Sequence, residues 1–285
     1  MQKMQKDSKP SSSMLIWEVS TLLNMMHIEK SFNIGTINEK KVLNDLSLTI
    51  NDGDFITVIG GNGAGKSTML NTIAGVYKVD GGRILLDGQD ITYKSETDRA
   101  QHIGRVFQDP MMGTAPTMMI EENLAMAYRR TKKRGLGWGI SAKEREIYRQ
   151  ALAQLGLGLE DRMSTKVGLL SGGQRQAVTL LMATLQKPKL LLLDEHTAAL
   201  DPATSAKVLE LSDKIIRENN LTALMVTHNM QNAIDYGNRL VMMNVGRIIL
   251  DISGEEKKRL TIEDLLKKFE SVSGGKFTTD SVLLG

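Results

Sequence analysis

The stretch Gly60-Gly61-Asn62-Gly63-Ala64-Gly65-Lys66-Ser67 fits the spacing G-x-x-x-x-G-K-[ST], and it lies between a strand-like run, residues 55–59, and a helix-like run, residues 68–74. That context is what the motif requires of a phosphate cradle. Glycines let the backbone turn so tightly that successive N–H groups point inward, and the following helix adds the positive end of its dipole. Lys66 is placed to hold the β- and γ-phosphates of a nucleotide, and Ser67 to ligate Mg²⁺. The plainer reading, a glycine-rich turn that only joins a strand to a helix, weighs less once the rest of the chain is read.

With 285 residues, 41% of them hydrophobic, the chain can bury a sizeable core as one large domain or one domain carrying a subdomain. The net charge is only +3 and acidic and basic residues are interspersed, so no nucleic-acid partner is implied and a nucleotide suffices as the anion. The absence of cysteine excludes disulfides, thiolate-held zinc and cysteine-held iron–sulfur clusters within the chain. No run approaches the roughly 18 consecutive apolar residues of a membrane span. Lys3, Lys6 and Lys9 before the apolar residues 14–17 faintly resemble a secretory signal, but Glu18 interrupts the run and no small-residue cleavage site follows. Residues 1–24 therefore read as a flexible extension, with the core fold starting at 25.

Short apolar runs at 27–32, 42–50 and 55–59, separated by turn residues, read as strands. Phe32 has two readings at this stage: a core aromatic, or a flat platform on which adenine stacks. Further strands are expected at 83–87 and 103–107, the second running into Gln108 before Pro110 ends regular structure. Gln108 is then a polar loop residue or a ligand contact at the end of a buried strand. Residues 111–168 change character, with Met111, Met112, Met118, Met119 and Met126 near a helix-like stretch and a capping box at Ser141 and Glu144. They read as a helical insertion whose methionines fill a core or line a surface for a partner helix. Its basic residues Arg129, Arg130, Lys132, Lys133 and Arg134 read as a solvated loop.

Leu170-Ser171-Gly172-Gly173-Gln174 opens an apolar helix, and Ser171 with Gln174 fits a capping box. The same free N–H groups, hydroxyl and bare glycines also make a second phosphate-binding face. Two such faces in one domain suggest dimerisation around ATP. Residues 190–193 form a continuous apolar run suited to a buried parallel strand, and it ends in Asp194-Glu195. Asp194 suits a Mg²⁺ contact, and Glu195 is placed to polarise an attacking water. A second such strand, 221–226, ends near His228, at the carboxyl edge where α/β folds bind ligands. A hairpin around 244–246 and a helix from 262 to 269 or 270 close the fold, and 271–285 read as a tail.

Taken in order, these motifs resemble those of the ATP-binding subunits of ABC transporters, over residues 26–269. The P-loop 60–67, Gln108 as the Q-loop residue, the signature 170–174, the Walker B strand 190–194 with Glu195, the D-loop Ala199-Leu200-Asp201 and the switch His228 carry the likeness. It implies an α/β fold: a RecA-like P-loop core, an antiparallel β-subdomain and a helical signature subdomain, about 111–168 plus a signature helix 171–186, within an ATPase domain spanning 25–270. It also implies that Gly60, Asn62, Gly63, Ala64, Gly65, Lys66, Ser67 and Thr68 hold the phosphates, with adenine on Phe32. Mg²⁺ would be held by Ser67, Asp194 and, through water, Gln108. Ser171, Gly172, Gly173, Gln174 and Asp201 would complete the site of a second copy. Glu195, His228, Lys66 and Gln108 are the implied catalytic set. His196 departs from the proline that most of the family carries after the glutamate. The wording of 104–113 and 194–202 resembles bacterial importers that use a separate binding protein, some for amino acids. The expected partners are a second ATPase subunit, a membrane permease and an extracytoplasmic binding protein, with this chain peripheral on the cytoplasmic face. An exporter or lipid-extraction ATPase, and a soluble iron–sulfur-assembly ATPase, share every motif and remain alternatives.

Overall fold

The computed structural model of the chain describes residues 20–130 and 139–273. In chain order the strands are β1 (Thr21–Phe32), β2 (Lys40–Asn51), β3 (Phe55–Ile59), β4 (Gly81–Leu86), β5 (Gln89–Asp90), β6 (Ile103–Val106), β7 (Leu190–Asp194), β8 (Thr222–Val226), β9 (Arg239–Asn244) and β10 (Arg247–Ser253). The helices are α1 (Lys66–Ala74), α2 (Glu96–Arg99), α3 (Ile120–Tyr128), α4 (Ala142–Ala153), α5 (Gly172–Thr184), α6 (Pro202–Glu218), α7 (Met230–Asp235), α8 (Gly254–Lys258) and α9 (Ile262–Ser273). Four strands make a sheet in the order β2-β1-β4-β5, with every pairing antiparallel. Six make the central sheet, β10-β9-β3-β8-β7-β6, parallel except for β10 at its edge.

The apolar runs of the central strands have no polar face because both faces of this sheet are covered. Alternation sends Leu190, Leu192, Leu224, Val226, Val241 and Met243 into a core shared with α1 and the antiparallel sheet. Their neighbours Leu191, Leu193, Ala223 and Met225 enter a second core with residues of α3, α4, α5 and α6. Burying each such leucine fully contributes about 2 kcal/mol. A third core joins Leu240 and Met242 of β9 to Leu265 and Phe269 of α9. No described helix is long and apolar enough to cross a membrane.

Two boundaries and one helix differ from the sequence reading. The domain start expected at 25 falls inside β1, which begins at Thr21 and buries both Leu22 and Leu23. An irregularity in the β1–β2 register between Thr21 and Leu23 breaks the alternation and masks the strand. The last helix passes its expected end at 269 or 270 and reaches Ser273, and the Ser271 hydroxyl donates to Lys268 O within that last turn. Helix α6 was unassigned by the periodicity, although Asp201 at its N-cap and Pro202 at its first position are start signals. Residues 1–19, 131–138 and 274–285, which include part of the basic stretch, lie outside the described residues.

Helices α3 and α4 lie within residues 111–168 and are tied together by ions. Arg129, just after α3, donates through Nε and Nη2 to Glu144 of α4 at 3.0 and 2.8 Å, and also reaches Gly139 O. Arg145 donates to Glu121 across the same pair of helices at 2.9 Å. These Arg129 bonds, helped by the Ser141 N–H, hold the Glu144 carboxyl down at about 2, against an ordinary 4.5. Folding thus favours the ionised form: the stabilisation is complete above pH 4.5 and is lost as pH falls toward 2. Replacing Glu144→Gln is expected to lower the urea midpoint at neutral pH. The gap between variant and parent should then narrow as pH falls through that window, and a gap independent of pH would contradict the assignment.

Candidate functional site

The parallel strands β3, β7 and β8 end side by side, with Val58 opposite Val226 and Asp194 opposite Val226 on the other side. Whatever follows each strand is therefore delivered to one edge: the glycine loop after β3, Glu195 after β7, and His228 after β8. The loop keeps its shape because side chains do not fit. A Cβ on Gly60 would lie 2.3 Å from Met243 O, and one on Gly65, at φ +101°, would lie 2.9 Å from Val42 O. Gly65 also caps α1, so the helix N-terminus opens directly onto the loop.

Lys66 is 6% exposed, and its Nζ donates to Gly60 O at 2.7 Å and to Gly61 O at 3.3 Å. Burial pushes its ammonium below the usual lysine range, opposed by the nearby carboxylates of Glu195 and Asp194. The Ser67 hydroxyl donates to Asp194 Oδ1 at 3.4 Å. Burial raises the Asp194 carboxyl, against the pull of Arg105, whose Nη2 lies 3.5 Å from Asp194 Oδ2. Glu195 Oε2 stands 3.6 Å from His228 Nδ1. Lys66, Ser67, Asp194, Glu195 and His228 thus meet at one edge. Among the described residues no group of three or more His, Cys, Asp or Glu could hold a metal. A hydroxyl and one carboxylate are nevertheless what Mg²⁺ takes from a protein when phosphates and water supply its other oxygens.

The remaining sequence candidates lie on the glycine loop or on other elements. Asn62 and Gly63 are exposed on the loop, Thr68 is half-buried, and Ala64 is buried with its carbonyl accepting from Gly246 N–H. Gln108 is exposed beyond β6, and the Gln176 amide donates to the carbonyl of its neighbour Phe107 at 3.2 Å. Phe32 is half-buried and belongs to none of the three cores, so the core-aromatic reading does not describe it. Its ring meets the edge of Tyr77 at 5.1 Å, and Lys30 Nζ lies 5.5 Å from its centroid. Ser171 caps α5 with Gln174 in a reciprocal box, and Gly173 is pressed so close to α6 that a Cβ would lie 2.2 Å from Thr204 Cγ2. Asp201 is exposed and caps α6 through the Thr204 N–H. Among the described residues no hydrogen bond or ion pair joins the 171–174 turn to the glycine loop.

Residues 43–198 match the family model described as ABC transporter. The chain belongs to that family. As an ATP-binding subunit it is similar to a tyrosine transport ATP-binding protein of Clostridioides difficile, 46% identical over 249 residues, which are 87% of this chain and 99% of that relative. It is also similar to a spermidine/putrescine import ATP-binding protein of Haemophilus ducreyi, 34% identical over 82% of this chain; the match spans 58% of that longer relative. Among solved structures, the dimeric post-hydrolysis state of an ATP-binding cassette bound to ADP and Pi superposes with a TM-score of 0.69 at 28% identity, covering 81% of this chain and 98% of that one. ABC transporter ATP-binding subunits hydrolyse ATP and couple the reaction to transport.

The sequence reading missed Arg105 and noted His196 only as a departure from the proline that most of the family carries. Arg105 sits in an apolar strand, and a lone arginine inside such a run is itself a signal of a buried counter-charge. His196 is 2% exposed and within 2.9 Å of Ser212 Oγ. Burial pushes its imidazole down to about 4, so it is neutral at physiological pH. The crowding at the loop gives a direct test: Gly60→Ala should cost about 1–3 kcal/mol of stability and weaken ATP binding. Gly61→Ala, which meets nothing within 4 Å, should leave the denaturation midpoint unchanged. Equal effects at both positions would show that the backbone contact with Met243 does not shape the loop.

Proposed function

We propose that this chain powers the import of an aromatic amino acid by binding and hydrolysing ATP as one of a pair of subunits on the cytoplasmic side of a membrane permease. The observation that carries the reading is the convergence of Lys66, Ser67, Asp194, Glu195 and His228 at one sheet edge. In the proposed cycle Lys66 exchanges the carbonyls of Gly60 and Gly61 for the β- and γ-phosphates. Ser67 and Asp194 would hold Mg²⁺, with Gln108 contributing to the same site. The chemistry that Mg²⁺ supplies when bound is neutralisation of charge on the phosphate oxygens. Glu195 orients the water for in-line attack on the γ-phosphorus, and ADP departs. His228 holds Glu195 Oε2 and reads the γ-phosphate. The loop residues Asn62, Gly63, Ala64 and Thr68 complete the phosphate shell, and Phe32 receives the adenine.

Because no hydrogen bond or ion pair among the described residues joins the 171–174 turn to the loop of its own chain, Ser171, Gly172, Gly173 and Gln174 are read as serving the nucleotide of a second copy, with Asp201 beside them. The dimeric cassette with ADP and Pi supports this arrangement. Import, rather than export or cofactor assembly, is supported by the relative named for spermidine and putrescine import. The amino-acid class is supported by the tyrosine-transport relative, more similar and matched over nearly its full length. An extracytoplasmic binding protein and a permease complete the proposed assembly.

Glu195→Gln is expected to bind ATP normally and to hydrolyse it at least about a hundredfold more slowly; near-normal turnover would remove the carboxylate from the mechanism. Lys66→Ala should lose about tenfold or more in ATP affinity, and unchanged binding would count against the cradle. For the substrate, the subunit can be purified with its permease and binding protein and placed in vesicles. ATP hydrolysis should rise with tyrosine and not with spermidine. Stimulation by the polyamine alone would overturn the amino-acid assignment.

A further inference from the structure

Immediately after Asp194 the chain reverses. Glu195 adopts φ +42°, a left-handed conformation that a non-glycine residue holds only where its surroundings compel it, at a cost of about 1–3 kcal/mol. On one side the Glu195 N–H donates to Val226 O at 3.1 Å, extending the pairing of β7 with β8. On the other, Glu195 O accepts from the Ala198 N–H at 3.0 Å. Neither bond directs the residue that follows, and that residue plunges into the interior. His196 Nε2 lies 2.9 Å from the hydroxyl of Ser212, itself 1% exposed on α6. The Ser212 hydroxyl also lies within hydrogen-bond distance of Val208 O, at 2.8 Å, so the His196 ring and the backbone of α6 meet at one buried hydroxyl.

The far end of the same loop is fastened to the same helix. Asp201 caps α6 by accepting from the Thr204 N–H at 3.1 Å. Thr204 is also the residue against which Gly173 is pressed, and Leu200 touches Gly172. One helix thus backs both the Glu195 loop and the 171–174 turn.

We propose that His196 is the positioning residue for Glu195: its buried hydrogen bond to Ser212 pins the loop 195–201 to α6 and thereby fixes where the Glu195 carboxylate stands beside His228. The proposal rests on the reading of Glu195 as the group that orients the attacking water. An imidazole that merely filled space would be replaceable by an apolar side chain once its partner hydroxyl was also removed. A positioning bond would not, because an apolar contact has no preferred direction. Since the glycine loop and Lys66 follow β3 and Glu195 follows β7, nucleotide binding should not depend on this bond.

The test compares Glu195→Gln, His196→Gln, His196→Leu, Ser212→Ala and the double variant His196→Leu with Ser212→Ala. It reads kcat, KM for ATP, equilibrium ATP affinity and denaturation midpoint on the full chain. His196→Leu and Ser212→Ala should each lower kcat about tenfold or more, while KM and ATP affinity stay within about twofold. His196→Gln, whose amide can hydrogen-bond near where Nε2 does, should recover most of the rate. The double variant removes both polar groups and should regain stability without regaining kcat. Wild-type kcat in the double variant, with Glu195→Gln slow, would overturn the positioning role while leaving the Glu195 reading intact. Wild-type kcat in Glu195→Gln would remove the reading on which the proposal stands. Should His196→Leu fail to fold, Ser212→Ala and His196→Gln decide the matter by the same split between kcat and KM.

Discussion

The backbone of the glycine loop packs against two carbonyl oxygens, those of Met243 and Val42, at distances that leave no room for a Cβ on Gly60 or Gly65. Gly246 is crowded by Val42 O in the same way, at 2.3 Å from a would-be Cβ, and its N–H donates to Ala64 O. Three parts of the chain meet at this junction: the loop after β3, the turn between β9 and β10, and the antiparallel sheet through β2. The loop is therefore moulded by the fold around it as well as by its own glycines. Once it is placed, α1 starts at Lys66 and points its N-terminus to the sheet edge where β7 and β8 also end.

Charge is arranged there around a buried lysine. Burial lowers the affinity of Lys66 for a proton, and the neighbouring carboxylates of Glu195 and Asp194 oppose that loss. Asp194 is in turn answered by Ser67 and Arg105. A buried ammonium bonded only to carbonyl oxygens can take phosphate oxygens instead, because charge-assisted bonds are the stronger. The arrangement suits a site whose counter-charges are supplied by its substrate.

Legibility in the sequence followed burial. The leucines of β7, apolar on both faces, announce a central parallel strand, and the carboxylates after them announce the edge where it ends. The glycine loop and the capping box at Ser171 were readable because each depends on residues within a few positions. What escaped depends on contacts distant in the chain. His196 looks like a substitution in a loop until Ser212, sixteen residues on, is seen to face it. Arg105 needs Asp194, on the neighbouring strand, to make sense. Thr21 begins a strand whose alternation is broken by an irregular register, which a period of two does not detect. Helix α6 carried its start signal in Asp201 and Pro202, obscured because those residues also fall in a motif read for its chemistry.

The account depends on the proposal that the glycine loop of one copy and the 171–174 turn of another share a nucleotide, and the molar mass of Glu195→Gln in solution tests it most directly. Light scattering with and without Mg²⁺ and ATP, combined with the nucleotide bound per chain, is the measurement. The account predicts that ATP converts single chains into pairs, with one ATP bound per chain and each nucleotide between the glycine loop of one copy and the 171–174 turn of the other. A chain that fills its site with ATP yet keeps the mass of a monomer at every protein concentration would contradict it.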